Sequence, residues 1–123
     1  MAGYLLDSNA IIYFFNGEKK IADLIEKTKD DLFVSFITKI EILAFEGADR
    51  AIQQKIEEFF DEIKIVLIDD AIIEKTIQYR KNTRLKIPDA IICATAKALG
   101  LTLVTADKSL SKKIKGIHII SPL

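Results

Sequence analysis

The sequence predicts an α/β fold: a central parallel sheet of about five strands, flanked by helices on both faces. Two observations carry this. Five short apolar or β-branched runs, each the length of a buried strand, are spread along the chain. Longer segments with helical apolar spacing separate most of them, and that alternation is the pattern of a parallel sheet covered on both sides. The 123 residues are half hydrophobic, with a mean hydropathy of +0.21. That suits a single domain over 1–123 with a well-buried core.

The elements follow in order. Tyr4-Leu5-Leu6 is the first strand, and Ala10 to Phe15 is an apolar run behind it. Ile21, Leu24, Ile25 and Thr28 follow i, i+3, i+4, i+7, which is one face of a helix. Asp30-Asp31 reads as a turn before the strand Leu32-Phe33-Val34. Ile37 to Phe45 is helical, with either Ser35 or Thr38 as its cap. Ile52, Ile56, Phe59 and Phe60 line a helix whose other positions are polar. Ile65 to Ile68 is a third strand, and Ile72, Ile73, Thr76, Ile77 and Tyr79 suggest another helix. Pro88 to Leu99 is apolar almost all round, so it predicts a buried central helix, with Pro88 in its first turn and Gly100 just past its end. Leu101 to Val104 and Ile117 to Ile120 are the last two strands.

Composition excludes several function classes. Lysine plus arginine total 18, as do aspartate plus glutamate, so the chain does not coat nucleic acid by bulk charge. One cysteine, Cys93, allows neither an intramolecular disulfide framework nor a cysteine zinc cluster. With His118 as the single histidine, any metal must be held by oxygen. The longest apolar runs fall far short of the roughly 20 residues of a membrane span. The first residues lack a basic flank, and Asp7 interrupts their apolar run, so the expected location is cytoplasmic with no signal peptide.

Most acids sit on polar helix faces or in turns. Four are placed differently. Asp7 follows the first strand and Asp107 the fourth; each alone reads as a helix cap. Asp89 sits in the first turn of the apolar helix, where the helix dipole favours it by roughly 0.3–1 kcal/mol, yet a buried helix has no other need to begin with a charge. Glu41 has two readings. It completes a capping box with Thr38, or it shares a stripe with Ile37 and Phe45 in a helix begun by Ser35. In a doubly wound sheet all four acids can converge at one end, where ligands gather. Crowded carboxylates repel one another, and a hard divalent cation relieves the repulsion. Such a cation activates water for attack on phosphorus.

These residues bring a family into view. The chain resembles the PIN-domain ribonucleases, in particular the small VapC-like toxins of type II toxin–antitoxin pairs. The resemblance rests on Leu6-Asp7-Ser8-Asn9, on Ser35 to Glu41, on Leu85 to Ala96 and on Leu103 to Asp107, and the block from Pro88 to Ala96 is its strongest part. It implies a PIN-like fold and a metal-dependent endoribonuclease with Asp7, Glu41, Asp89 and Asp107 as its acidic quartet. One or two Mg²⁺ or Mn²⁺ ions would be held mainly by Asp7 and Asp89, with Asp107 completing the site. Glu41 would hold water or act as general base. Ser8, Asn9 and Thr105 would orient the acids. Ser8 stands where threonine is commoner, Asp107 where many members have asparagine, and the aromatic usual after Asp107 is replaced by Lys108-Ser109-Leu110.

No other chemistry competes convincingly. The serines have no histidine partner, Cys93 lies in the buried helix, and the scattered glycines build no phosphate loop. For RNA contact the best candidates are Arg80 and Arg84, one helical turn apart ahead of Asp89. The apolar residues Ile11 to Phe15, Phe36, Phe45, Phe59 and Phe60 suit the core first, and a dimer surface or antitoxin groove second. The resemblance favours a homodimer inhibited by a cognate antitoxin. Two alternatives stand beside the nuclease. One is a non-catalytic RNA- or protein-binding member; the other is a phospho-receiver domain using Asp69-Asp70.

Overall fold

In the computed structural model, which describes residues 3–123, strands and helices alternate as the apolar spacing predicts. The order is β1 (Tyr4–Leu6), α1 (Ser8–Phe15), α2 (Lys19–Lys27), a 3-10 turn at Lys29–Asp31, β2 (Leu32–Ser35), α3 (Phe36–Leu43) and α4 (Arg50–Glu62). Then come β3 (Lys64–Val66), α5 (Asp70–Asn82), α6 (Ile87–Leu99), β4 (Thr102–Val104), α7 (Lys108–Lys113) and β5 (Ile119–Ile120). The strands form one parallel sheet in the order β3-β2-β1-β4-β5.

Residue parity divides the core in two. Leu5 pairs in register with Phe33 and Leu103, and all three face a core completed by Ala90, Cys93 and Leu110. Leu6 pairs with Val34 and Val104, which face the opposite core with Ala10, Ile11, Ile21 and Phe60. Every β1 side chain therefore has a helical layer to enter, so these strands read as continuous apolar runs. Helix α6 buries seven consecutive residues, Ala90 to Ala96. It stops at Gly100, whose φ of 66° is left-handed, and Leu101 N–H returns to the Ala96 carbonyl at 2.9 Å.

Two expectations need correction. Strand β3 ends at Val66, leaving Leu67 72% exposed and Ile68 in the following loop. The cause is pairing: Val66 stands opposite Ser35, beyond which β2 turns into α3 and offers no further partner. At the other edge, Ile117 and His118 precede β5, whose register begins at Leu103 and Ile119. The structure also decides between the two readings of α3. Ser35, fully buried, caps it by accepting from Ile37 N–H, so Glu41 closes no capping box. Glu41 is exposed near the far end of the helix, and Phe45 lies beyond the last turn. Helix α3 is also less deeply packed than α6, with only Thr38 and Ile42 buried.

Candidate active site

Leaving β1 the chain moves to β2 and β3 on one side; it returns through α5 and α6 to β4 on the other. The carboxyl ends of β1 and β4 therefore flank the point where the winding reverses, which opens a crevice. Asp7 follows β1 there, with its N–H still donated to the Val104 carbonyl of β4 at 3.2 Å. Its Oδ1 accepts from Ala10 N–H at 2.8 Å, so Asp7 caps α1. Asp107 stands beyond β4 and caps α7, with Oδ1 accepting from Ser109 N–H at 2.9 Å and Ser109 Oγ at 2.6 Å. The capping and functional readings of both acids are compatible: a cap bond on one oxygen leaves the other free.

Electrostatics places the acids together. Burial pushes the Asp7 carboxyl above its ordinary 3.8, the Thr105 hydroxyl and Ala10 N–H work against that, and the charges of Asp89 and Asp107 push further. Asp89, half-buried in the first turn of α6, is also raised. Burial comes first, then Asp107 and Glu41, with Lys86 and Lys113 opposing. Beneath them, burial and then the charges of Asp89, Asp107 and Asp7 push the Cys93 thiol up to about 12. Asp89 and Asp107 thus act on Asp7, and Asp107 and Glu41 act on Asp89, which links acids from four distant segments in one chain of contacts.

The flanking residues have separate tasks. Ser8 Oγ donates to Glu41 Oε1 at 2.9 Å, joining α1 to α3 across 33 residues. Thr105 is buried, and its Oγ1 accepts from Asp107 N–H at 3.1 Å, so one side chain touches the surroundings of two acids. Asn9 is exposed in α1. Arg80 Nη1 donates to the Leu85 carbonyl, so this guanidinium ties down the loop before α6. Arg84 is exposed in that loop. Sequence reasoning passed over Ser109, although an Asp with a serine two residues on is a recognisable turn signal. Asp69 caps α5 by accepting from Ile72 N–H at 2.9 Å, and it follows the edge strand β3, not a central strand as the phospho-receiver alternative requires.

Among the described residues, no three His, Cys, Asp or Glu side chains close into a ready metal cage. The donor chemistry nevertheless fits a hard divalent ion. All candidate donors are carboxylate oxygens, and Mg²⁺ is commonly held by one or two carboxylates with water filling its other positions. Beside Ser8 and Glu41 runs an apolar groove of about 400 Å³ between α1, α3 and α4, lined by Ile11, Phe15, Ile42 and Phe45 among others. Phe15 also belongs to an aromatic cluster with Phe14, Phe59 and Phe60, whose neighbouring ring centroids lie 5.0 to 5.7 Å apart.

The model of the PIN domain family matches residues 4–115, which is nearly the whole chain. The chain belongs to the PIN domain family. Proteins of this family that act as toxins are generally nucleases, and the family generally uses divalent metal ions. A comparison with curated proteins finds no match. Among solved structures, a chain of a toxin–antitoxin complex from Klebsiella pneumoniae is 29% identical to this PIN domain, with 98% of each chain covered and a TM-score of 0.80. A chain of DNA-bound VapBC from Salmonella typhimurium is 23% identical over the full length of both, with a TM-score of 0.87. A chain of VapBC2 from Rickettsia felis, bound to a promoter DNA fragment, is 19% identical, with 98% of each covered and a TM-score of 0.84. At the last two identities the likeness concerns the fold. No described helix of the PIN domain is long and apolar enough to cross a membrane.

Proposed function

We propose that this PIN domain is a metal-dependent endoribonuclease and the toxin of a toxin–antitoxin pair. The observation that carries the reading is the charge that Asp89 and Asp107 exert on Asp7, and that Asp107 and Glu41 exert on Asp89, beside the β1–β4 crevice. Structural repulsion of this kind costs stability, and a divalent cation turns it into binding energy. Asp7 and Asp89 are the principal holders of Mg²⁺ or Mn²⁺, with Asp107 as third. When bound, one or two such ions polarise the scissile phosphodiester and lower the pKa of a water. Glu41, exposed and oriented by Ser8, takes the proton from the attacking water. Asp7, fixed by its cap bond, and Asp89, fixed on the rigid α6, keep their carboxylates in place through the reaction. Arg84, exposed in the loop ahead of α6, supplies a phosphate contact, and Arg80 ties down that loop.

Two partners belong to the same reading. The apolar groove beside Ser8 and Glu41 suits a hydrophobic segment of an antitoxin, which would cover the acids as it binds. The neighbouring structures from Klebsiella, Salmonella and Rickettsia, which are toxin–antitoxin assemblies, support such a partner. Exposed Ile73 and Ile77, one turn apart on α5, supply apolar surface for a homodimer. The test is sequencing of RNA ends from cells expressing the wild type or Asp7→Asn. New ends at defined sites, absent with the variant, support the reading; identical end profiles overturn it.

A further inference from the structure

The chain has seven threonines. Six use their hydroxyl. Thr28, Thr76, Thr83 and Thr95 donate to the carbonyl four residues back at 2.6 to 2.7 Å, Thr102 lies 3.5 Å from His118 Nδ1, and Thr105 accepts from Asp107 N–H. Thr38 is the exception: fully buried, with no partner for its Oγ1 among the described residues. The junction between strand and helix explains why. Four residues before Thr38 is Val34, which belongs to β2, so the helical back-bond open to the other threonines is missing. A buried hydroxyl left unpaired is destabilising, so its presence calls for a use.

Its position suggests one. Helix α3 spans the boundary between the two cores: Ile37 packs against one and Ile42 against the other. At about 100° per residue, Thr38 and Glu41 both fall on the arc between those two side chains. Glu41 on that arc acts by its charge on Asp89, and α3 itself begins at the carboxyl end of β2, where Ser35 is both the last strand residue and the cap of the helix. Ser8, next to Asp7, reaches the same arc by its bond to Glu41.

We propose that Thr38 is a positioning residue of the acidic cleft, whose hydroxyl donates to a cleft carboxylate when a divalent cation draws the acids together. The proposal rests on the metal-dependent reading above. In the cation-free chain the donor is held in reserve, at a cost to stability, and loading of the cleft uses it. Outer hydrogen bonds of this kind fix ligand orientation, and losing one typically weakens metal binding about ten- to a hundredfold.

The experiment is calorimetric titration of Mn²⁺ into the wild type, Thr38→Val and Thr38→Ser, with the cation-free melting temperature of each. Valine keeps the shape and removes the hydroxyl; serine keeps the hydroxyl. The expected result is Mn²⁺ binding about tenfold or more weaker in Thr38→Val, near wild type in Thr38→Ser, and a cation-free melting temperature in Thr38→Val that does not fall. Unchanged Mn²⁺ affinity in Thr38→Val, with wild-type binding intact, overturns the role of Thr38 alone. A lower cation-free melting temperature in Thr38→Val with unchanged affinity does the same, assigning the hydroxyl to a buried water. No Mn²⁺ binding by the wild type overturns the metal reading and this proposal with it.

Discussion

Ser8 and Glu41 meet through a 2.9 Å hydrogen bond from Ser8 Oγ to Glu41 Oε1. The contact joins the first turn of α1, next to Asp7, to the exposed end of α3. It makes the orientation of the proposed proton acceptor depend on the segment that carries a proposed metal ligand.

Replacing Ser8 by alanine releases Glu41. Because the bond is exposed, stability should change by no more than about 0.5 kcal/mol. Turnover should fall about tenfold, with RNA affinity retained, since the change affects an orienting group and not a phosphate contact. Single-turnover and binding assays on Ser8→Ala separate the two effects.

Asp7 has two tasks that substitution can split. Asparagine remains a good cap for α1, whereas alanine removes the bond to Ala10 N–H. Both variants should lose RNA cleavage. In cation-free urea denaturation, Asp7→Ala should be about 1 kcal/mol less stable than Asp7→Asn.

The raised Asp7 and Asp89 carboxyls give the cation-free protein a pH signature. In the folded state these groups hold protons more tightly than in the unfolded chain, where the value is near 3.8. Their contribution to stability is therefore fully present below 3.8 and is lost as pH rises through the folded values. Asp89→Asn carries no such penalty. Its melting temperature should exceed that of the wild type most at neutral pH, and the gap should narrow as pH falls. A melting series across pH in EDTA measures this.

Much of the fold was legible in the sequence, and the candidate site could be named from it, because burial leaves a clear chemical trace. Leu5 and Leu6 can both be apolar only if the sheet is covered on both faces, and Ala90 to Ala96 can lack any charged residue only if α6 is enclosed. Asp7, Asp89 and Asp107 stood out as charges at the ends of such segments. Other features depend on pairing or on a contact made far along the chain. Leu67 looks like strand but has no partner once β2 bends into α3 at Ser35. Glu41 was ambiguous because Ser35 and Thr38 are both good caps, and only the path of α3 decides between them. Arg80 resembled a phosphate ligand, yet it serves the Leu85 carbonyl; local spacing carries no sign of that bond.

The two arginines should accordingly part company. Arg80→Ala removes a loop hydrogen bond and should lower stability by about 1 kcal/mol. Arg84→Ala should leave stability unchanged, weaken RNA binding, and reduce the slope of log affinity against log salt by about 0.7. Denaturation and salt-dependent binding of both variants check this.

The central claim is that the four acids form one cation-dependent hydrolytic cleft. The most direct test is single-turnover cleavage of a labelled single-stranded RNA by wild type and Asp89→Asn, in Mg²⁺ and again in EDTA. The account predicts cleavage by the wild type in Mg²⁺ alone, and none by a folded Asp89→Asn under either condition. Cleavage by Asp89→Asn at the wild-type rate, or wild-type cleavage that persists in EDTA, would contradict it.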